Sequence, residues 1–377
     1  MTAIAGFEFR GTAFLYGDII ATAPLHPGFP HAEVPTYLSD DGSGPISGGR
    51  GVSGLYQKII LLSGSCAIAC TGRVDEIVSI IHEFRKLPSE KLIGTLMLRM
   101  LEEDTELKRY DVGVIILTVE DSKPIITAHN VIQIDSALFE NAVAAGSGVE
   151  AFEKYLYMYG ENPLGEIAED EIVVHGTCAV LFQFSLLLHH EFNKQDFSDT
   201  FYDHFGGGYE LIAFYDGKLQ KINNALYVFC KGLINSDGFL SVNTPSLLIK
   251  QEHIDSELYI RSVHTTHQSH NESADILSDR TFLIPAIHHI NAKSQVVTET
   301  PIELTGEFLC LIVDVEYPDN HVARIPYIKK FSSPASLAEQ AFHPEVVGDK
   351  LSFQWQETIS NELPDYLIRA LDHWHSN

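Results

Sequence analysis

Basic side chains are scarce in this sequence. Its 377 residues include 25 lysines and arginines against 51 aspartates and glutamates, which gives a formal net charge of −26 at pH 7. Because like charges repel, such a chain disfavours nucleic acid and anionic membranes, and we exclude both as main partners. The acidic balance is typical of a solvated surface, and a preference for basic peptides is the alternative interpretation.

Cysteines are few, and a leader segment and long apolar runs are missing. The five cysteines are scattered, which indicates reduced core thiols and a cytosolic setting rather than a disulfide framework. No basic stretch precedes an apolar run at the start, so we expect no signal peptide. The longest apolar run, around 178–188, is interrupted by Gln183 and Ser185 and is too short to span a bilayer. We therefore expect a cytoplasmic protein.

Signatures of nucleotide, esterase and metal chemistry are also absent. The sequence has no P-loop Gly-Lys-Ser, no dinucleotide fingerprint and no Gly-x-Ser-x-Gly elbow. His264, His267 and His270 are regularly spaced, but the polar residues around them indicate a loop rather than a metal site. We expect no cofactor and no metal. Any nucleotide use would come from a partner, such as an unfoldase or a regulatory protein.

Residues 1–222 alternate strand and helix patterns. The predicted elements, in chain order, are hairpins at 2–23 and 55–70, helices at 74–84 and 89–102, strands at 111–119 and 124–134, helices from 149 and at 176–192, and a hairpin at 209–222. This order predicts the α+β class, with two sheets between two helix pairs in a four-layer αββα sandwich. A Pro- and Gly-rich loop at 26–54 separates the first two hairpins, and such long loops are usually functional or mobile.

Residues 223–377 predict a second, β-rich domain, since the length exceeds one average domain. Its predicted strands are 226–230, 246–249, 258–262, 281–284, 308–315 and 322–328. A helix is expected over 351–373, interrupted by Pro364. The sequence pattern of residues 223–377 indicates no function for this domain.

The chain begins with Met1-Thr2, and small residues at position two normally allow removal of the methionine. Thr2 would then carry a hydroxyl and a free α-amine on one residue. An α-amine has a reference pKa of about 7.7–8.0, so it can act as general base for the hydroxyl at neutral pH. Many proteins begin this way, so Thr2 becomes a candidate nucleophile only together with residues further along the chain.

Thr2 is the first of six features that lie, in order, on the expected elements. They are, in order, Thr2, Asp18, Lys58, Gly72, Ser147 and the Gly206–Gly208 stretch. In these features the chain from Thr2 to about Ile222 resembles the N-terminal-nucleophile (Ntn) hydrolases of the proteasome β-subunit and bacterial HslV type. Asp203 is the nearest match to a further family aspartate, one residue out of register. The stretch between Asp18 and Lys58 is longer than in that family.

The resemblance implies a role for each matching residue. Thr2 would attack a carbonyl, and Lys58, paired with Asp18, would lower the pKa of the Thr2 amine. The Gly72 amide would face the developing oxyanion, and Ser147 would orient the amine by a hydrogen bond. The catalytic set would be completed by Asp203.

Three hypotheses follow for the function. The first is a threonine-type hydrolase of peptide or amide substrates, a peptidase, that assembles as a homo-oligomer. The second is a non-catalytic, proteasome-like scaffold or binding subunit whose site is covered by the 26–54 loop or by the second part. The third is a small-molecule amidase or acyl transferase on the same fold.

Overall fold

The computed structural model describes residues 2–39, 44–160, 166–194, 198–222, 224–234, 240–266, 273–289, 292–298, 302–317 and 321–376. The protein is mixed α/β, with 26% helix, 45% strand and several sheets, compatible with the α+β class. Two compact units are present. Unit 1 comprises Met1–Ile222 and Ile284–Ser294, and unit 2 comprises Asn223–Leu283 and Gln295–Asn377. The segment Ile284–Ser294, which the sequence pattern placed in the second domain, therefore belongs to unit 1.

Unit 1 contains thirteen strands and five helices among the described residues. The strands are β1 Ala3–Phe9, β2 Thr12–Asp18, β3 Ile20–Pro24, β4 Ile46–Ser47, β5 Arg50–Leu55, β6 Ile59–Ser63, β7 Cys66–Thr71, β8 Gly113–Glu120, β9 Lys123–His129, β10 Ile132–Gln133, β11 Glu140–Gly146, β12 Tyr209–Tyr215 and β13 Lys218–Lys221. The helices are α1 Val74–Arg85, α2 Gly94–Glu103, α3 Val149–Gly160, α4 Ile172–Lys194 and α5 Asp199–Tyr202. Short 3-10 turns cover 89–91, 107–109 and 169–171.

These strands form three antiparallel sheets. One has the order β10-β11-β1-β2-β12-β13, the second β6-β7-β8-β9 and the third β3-β5-β4. Strands β1 and β2 contact β7, β8 and β9, so the first two sheets pack on each other. Helices α3 and α4 pack on the first sheet, and α2 packs on the second.

Helix α1 also covers the second sheet, as its sequence pattern requires. Ile77, Ile80, Ile81 and Phe84 lie at helical spacing, and all four join one buried cluster that includes Ile68 of β7. A one-sided apolar stripe of this kind is what an amphipathic helix buries against a sheet. The start of α1 therefore stays fixed next to the end of β7.

Three local predictions in unit 1 are wrong. Residues 12–23 form two strands rather than one, because the chain leaves the first sheet after Asp18 and β3 pairs with β5. The 26–54 segment contains β4 and most of β5, so it is not a loop throughout. Strand β11, which pairs with β1, was not predicted before the helix at 149.

Unit 2 is built on one large sheet. Its strands are β14 Ala225–Ile234, β15 Leu240–Val242, β16 Leu247–Ile254, β17 Glu257–Thr265, β18 Ser273–Ile284, β19 Gln295–Val297, β20 Phe308–Glu316, β21 Val322–Lys330, β22 Phe342–Val347 and β23 Lys350–Trp355. The main order is β21-β20-β14-β16-β17-β18-β23-β22, with β15 on β14 and β19 on β18. Helix α6 is Pro334–Gln340 and helix α7 is Glu357–Ser376.

The C-terminal helix of unit 2 differs from its prediction. Residues 351–355 belong to β23, and α7 begins only at Glu357 and continues through Pro364. Ile359, Leu363 and Leu367 of α7 are buried in the apolar cluster of this unit. This i, i+4, i+8 spacing gives the helix its buried stripe.

Helix α4 is long and apolar enough to cross a membrane by length and composition. Within the stretch Glu169–Lys194, the most apolar 18-residue window has a mean hydropathy of 1.7, and 56% of that window is buried inside the protein. The core helix of a soluble protein has the same properties. Its apolar character therefore gives no argument of its own for a membrane span.

Candidate active site

The site forms where three strand ends meet in the first sheet of unit 1. Antiparallel pairing of Ile4 with Gly17 places the beginning of β1 beside the end of β2, and Ala3 pairs with Gly146 at the end of β11. Asp18 ends β2 and is fully buried. Strand pairing alone thus brings residues 2, 18 and 146 together.

A buried carboxylate must be hydrogen-bonded, and the backbone supplies Asp18 with three donors. The amide of Ala3 donates to Oδ1 at 2.8 Å. The amides of Ile20 and Gly206 donate to Oδ2 at 3.1 Å and 3.0 Å. These contacts fix the plane of the carboxylate.

Two side chains complete the shell of Asp18. The Thr2 hydroxyl donates to Oδ1 at 2.5 Å, and the Lys58 ammonium donates to the same oxygen at 2.7 Å. Lys58 also donates to the carbonyl of Ile20. Thr2 and Lys58 are 3% and 2% exposed, so this is a desolvated hydroxyl–carboxylate–ammonium cluster.

Burial lowers the pKa of the Lys58 ammonium, and the negative charge of Asp18 opposes that effect. A lysine of this kind keeps its proton only while its carboxylate partner stays ionised. The cluster therefore places a cation, in a medium of low dielectric constant, beside the Thr2 hydroxyl.

Glu210, which the sequence analysis missed, fixes the backbone at Lys58. It is fully buried in β12, and its carboxylate accepts from the amide of Lys58 at 2.8 Å. Lys221 donates to the other oxygen of Glu210 at 2.6 Å. One acidic residue inside the otherwise apolar run Tyr209–Phe214 was the available signal in the sequence.

A second missed acid, Glu191, borders the same cluster from α4. It is fully buried and accepts from Thr36 Oγ1 at 2.7 Å, the Gly207 amide at 3.0 Å and the Tyr209 hydroxyl at 2.8 Å. Burial raises the pKa of Glu191 to about 7, and the charge of Asp18 acts in the same direction. Glu191 and Asp18 thus bind adjacent amides of the Gly206–Gly208 turn.

A cavity of about 710 Å³ borders the cluster. Thr2 and Lys58 line it together with Gly72, Ser147 and Arg50. The volume is that of a small-molecule or short-peptide site. A second cavity of about 730 Å³ lies beside α1 and His288, and none of the predicted site residues lines it.

Gly72 and Ser147 lie at the cavity, with one change from expectation. Gly72 has a φ of +142° two residues before α1, and an added Cβ would lie 2.9 Å from the Asp111 carbonyl. Ser147 was expected to bond the Thr2 amine. Instead its amide donates to the Thr2 carbonyl at 2.8 Å, and its hydroxyl donates to that oxygen at 3.5 Å.

Asp203 is not brought into the cluster. It caps the C-terminal end of α5, and among the described residues it forms no bond to Thr2, Asp18 or Lys58. Partial burial and the neighbouring acids Asp199 and Glu150 raise the pKa of its carboxyl. The structure therefore gives it no contact with the predicted nucleophile.

The described residues contain no group of three or more His, Cys, Asp or Glu side chains arranged to hold a metal ion. His264 is buried in β17, while His267 and His270 lie outside the described residues. The donors at Thr2 are a hydroxyl, a carboxylate and an ammonium. Such a set suits nucleophilic acyl chemistry.

Comparison with known proteins adds no relative. No protein-family model matches this chain, and no curated protein matches it with significant similarity.

Proposed function

We propose that this protein is an N-terminal-threonine hydrolase of amide bonds, a peptidase, in which Thr2 becomes the nucleophile once the Met1–Thr2 bond is cut. The observation that carries the proposal is the buried hydroxyl of Thr2, held by Asp18 with the Lys58 ammonium on the same oxygen, at the wall of a cavity. A hydroxyl, a general base and a cation at one point are the parts that activate a weak nucleophile.

The order in which the helices and sheets of unit 1 contact one another also supports this proposal. Helices α3 and α4, the six-stranded sheet, the four-stranded sheet, and helices α1 and α2 contact one another in that sequence. We propose that these contacts form the four-layer αββα sandwich that the resemblance implies. In that arrangement the nucleophile lies at the edge where the two sheets face each other.

The proposed reaction has two halves. In the first, the free amine of Thr2 takes the hydroxyl proton while Oγ1 bonds to the substrate carbonyl carbon, and the Gly72 amide stabilises the oxyanion. The carbon–nitrogen bond then breaks, the leaving amine takes the proton from the Thr2 ammonium, and an ester to Thr2 remains. In the second half, water gives a proton to the same amine while its oxygen bonds to the ester carbon. The bond from that carbon to Oγ1 then breaks, Oγ1 takes the proton back from the Thr2 ammonium, and the acid leaves.

Lys58 would act by charge in both halves. Its ammonium shares Asp18 Oδ1 with the hydroxyl, so it stabilises negative charge on Oγ1 and disfavours a protonated Thr2 amine. Because the pair is desolvated, this effect is stronger than it would be in water. The protein's own residues thus supply the base, the counter-charge and the oxyanion donor.

Intact mass and active-site labelling together test the proposal. We expect purified active protein to lack Met1, to release fluorophore from a panel of peptidyl-aminocoumarin amides, and to carry a β-lactone probe on Thr2 in tandem mass spectra. Thr2→Ala should abolish both hydrolysis and labelling. Thr12→Ala is the matched control, because Thr12 is a buried threonine of the same sheet that bonds only the Phe214 carbonyl.

Retention of Met1 in a hydrolysing preparation, or equal hydrolysis by Thr2→Ala, would contradict the mechanism.

We also propose that the protein is cytoplasmic and assembles as a homo-oligomer, since the resembled family encloses its nucleophiles in assemblies. Analytical ultracentrifugation at moderate salt checks the assembly, and a clean monomer at micromolar concentration would contradict it.

A further inference from the structure

Three cations line the cavity beside Thr2, and two of them are neutralised. Lys58 is paired with Asp18 at 2.7 Å, and Arg73 is paired with Asp75 at 2.8 Å. Arg50 differs. Its guanidinium donates from Nη2 to the Thr22 carbonyl at 3.0 Å and from Nε to Thr22 Oγ1 at 3.4 Å, and among the described residues it forms no ion pair with a carboxylate.

Acidic residues outnumber basic ones 51 to 25 in this chain, and Arg50 still pairs with no carboxylate among the described residues. Arg50 is also partly buried, so part of its hydration is lost without compensation from a carboxylate. Its field reaches a neighbour: burial and then the charge of Arg50 lower the pKa of His204. The cavity therefore presents a cation whose planar donor fork suits a carboxylate.

We propose that Arg50 binds a carboxylate on the acyl part of the amide that Thr2 cleaves, so that glutamyl and aspartyl amides are the preferred substrate class. The proposal rests on the proposed function, since it assigns the substrate of that same site. The acyl part becomes an ester to Thr2 in the first half of the reaction, and its side chain must be held in position after the amine has left, until water attacks. An ion pair inside the cavity supplies that hold.

The other charges around the cavity are compatible with this assignment. Asp111 carries the remaining acid on the wall, but it borders Gly72 and accepts from the Asn130 side chain at 3.3 Å, whereas Arg50 is bonded to Thr22. Arg50 thus lies on β5, whereas Asp111 lies in the segment before β8, so the cation and the acid come from different parts of the wall. The −26 net charge would slow the encounter with an acidic substrate, so selection depends on Arg50 itself.

The position of Arg50 makes this property specific to the present chain. Arg50 opens β5, inside the stretch between Asp18 and Lys58 that is longer than in the resembled family. Strand β5 pairs with β3 so that Arg50 lies opposite Pro24, and the Arg50 side chain reaches back to bond Thr22. The added segment therefore contributes a side chain to the cavity.

Paired aminocoumarin amides test the inference. Probes of one peptide sequence ending in Glu or in Gln differ by a single charge at the acyl residue. We expect the protein to favour the Glu probe in kcat/KM, and Arg50→Gln to lower that Glu-to-Gln ratio by about 10- to 100-fold, as expected for loss of a hydrogen bond to a charged group. Arg99→Gln is the matched control, because Arg99 is an exposed cation on α2 that does not line the cavity.

A binding arm separates this inference from the mechanism. In Thr2→Ala protein, calorimetry should show tighter binding of an acetylated, amide-ended peptide with Glu than of its Gln counterpart, and Arg50→Gln should remove the difference. That result supports Arg50 as the carboxylate site even where nothing is hydrolysed. Equal ratios in the parent and Arg50→Gln proteins, together with equal binding, overturn the inference while leaving a hydrolysing Thr2 in place.

Discussion

The two units differ in where they bury charge. Among the described residues of unit 1, four charged side chains are almost completely buried: Asp18, Lys58, Glu191 and Glu210. In the described part of unit 2, Lys250 is the one lysine, arginine, aspartate or glutamate that is buried to that degree. Since removing charge from water is unfavourable, a cluster of four is maintained against a cost in stability. Buried clusters of ionisable groups are characteristic of functional sites, where burial and neighbouring charges shift the pKa of catalytic groups.

The two buried lysines make the comparison concrete. Burial lowers the pKa of both Lys58 and Lys250. Lys250 is bonded to Glu252 at 3.2 Å and to Asn224, within the main sheet of unit 2. Lys58 instead shares its carboxylate oxygen with a threonine hydroxyl beside a cavity. The two lysines are thus equally buried in different surroundings, and among the described residues the proposed nucleophile lies next to Lys58.

The largest effect is expected from exchanging each lysine for methionine. Lys58→Met leaves the fully buried Asp18 uncompensated and should lower the free energy of unfolding by about 3–5 kcal/mol. Lys250→Met leaves Glu252, which is 27% exposed, without this partner and should lower it by less. Lys58→Met should also reduce kcat/KM by about 10²- to 10⁴-fold, because charge next to the nucleophile is lost. Denaturant titration and the aminocoumarin assay measure the two quantities. Equal loss of activity in Lys250→Met protein would remove the distinction between the units.

A second contrast concerns two glutamate–tyrosine pairs. Glu191 of unit 1 accepts from Tyr209, and burial raises its pKa to about 7. Glu362 of unit 2 accepts from Tyr327 and from Lys329 at 2.6 Å, and that lysine lowers the pKa of Glu362. The two carboxyls therefore couple stability to pH with opposite signs.

For Glu191 the folded pKa exceeds the unfolded one, so its contribution is complete below pH 4.5 and is lost as the pH rises towards 7. The shift corresponds to about 3 kcal/mol across that window. Glu191→Gln should abolish this slope in chemical denaturation series, whereas exposed Glu90→Gln should retain it.

For Glu362 the stabilisation is present above pH 4.5 and lost below it, so Glu362→Gln should flatten only the acid limb.

The smallest expected effect is the difference between alanine substitutions at two glycines with positive φ. Gly72 of unit 1 has a φ of +142° and close backbone neighbours, whereas Gly348 of unit 2 has a φ of +64° and nothing within 4 Å of an added Cβ. We expect Gly348→Ala to cost about 1 kcal/mol of unfolding free energy and Gly72→Ala to cost about 1–3 kcal/mol. Gly72→Ala should also lower activity, since the backbone at the oxyanion donor must shift. Identical stability and activity in both variants would contradict this.

The sequence allowed much of the cluster to be predicted, because its members have local signatures. Thr2 and Asp18 occupy the beginning and end of two adjacent strand patterns, and a two-residue turn forces those positions together. Lys58 precedes an apolar strand, where a charged residue is conspicuous. By contrast, Glu191 and Glu210 act through partners 155 and 152 residues away, and no local pattern carries such pairings.

The same reason explains the errors in the fold. The segment Ile284–Ser294 is far from unit 1 in sequence, yet Gln57 bonds the Ile284 carbonyl and the amide of Gln57 donates to Pro285. Residues 351–355 alternate apolar and polar side chains, as a strand does, but the run is short and the prediction extended the helix that follows over it. Strand β11 is rich in small residues, which pack closely against β1 without a strong β-propensity signal.

The way Thr2 is anchored has a consequence for maturation. Its carbonyl is held by the amide of Ser147, and the next residue is held by Asp18 and by its pairing with Gly146. Every one of these bonds lies on the carbonyl side of Thr2, away from the bond to Met1. A latent precursor and its trimmed product should therefore share one backbone, with the hydroxyl aimed before the amine exists. We therefore expect the proposed activation to be spectroscopically silent: activity should rise with the loss of methionine while circular dichroism stays constant.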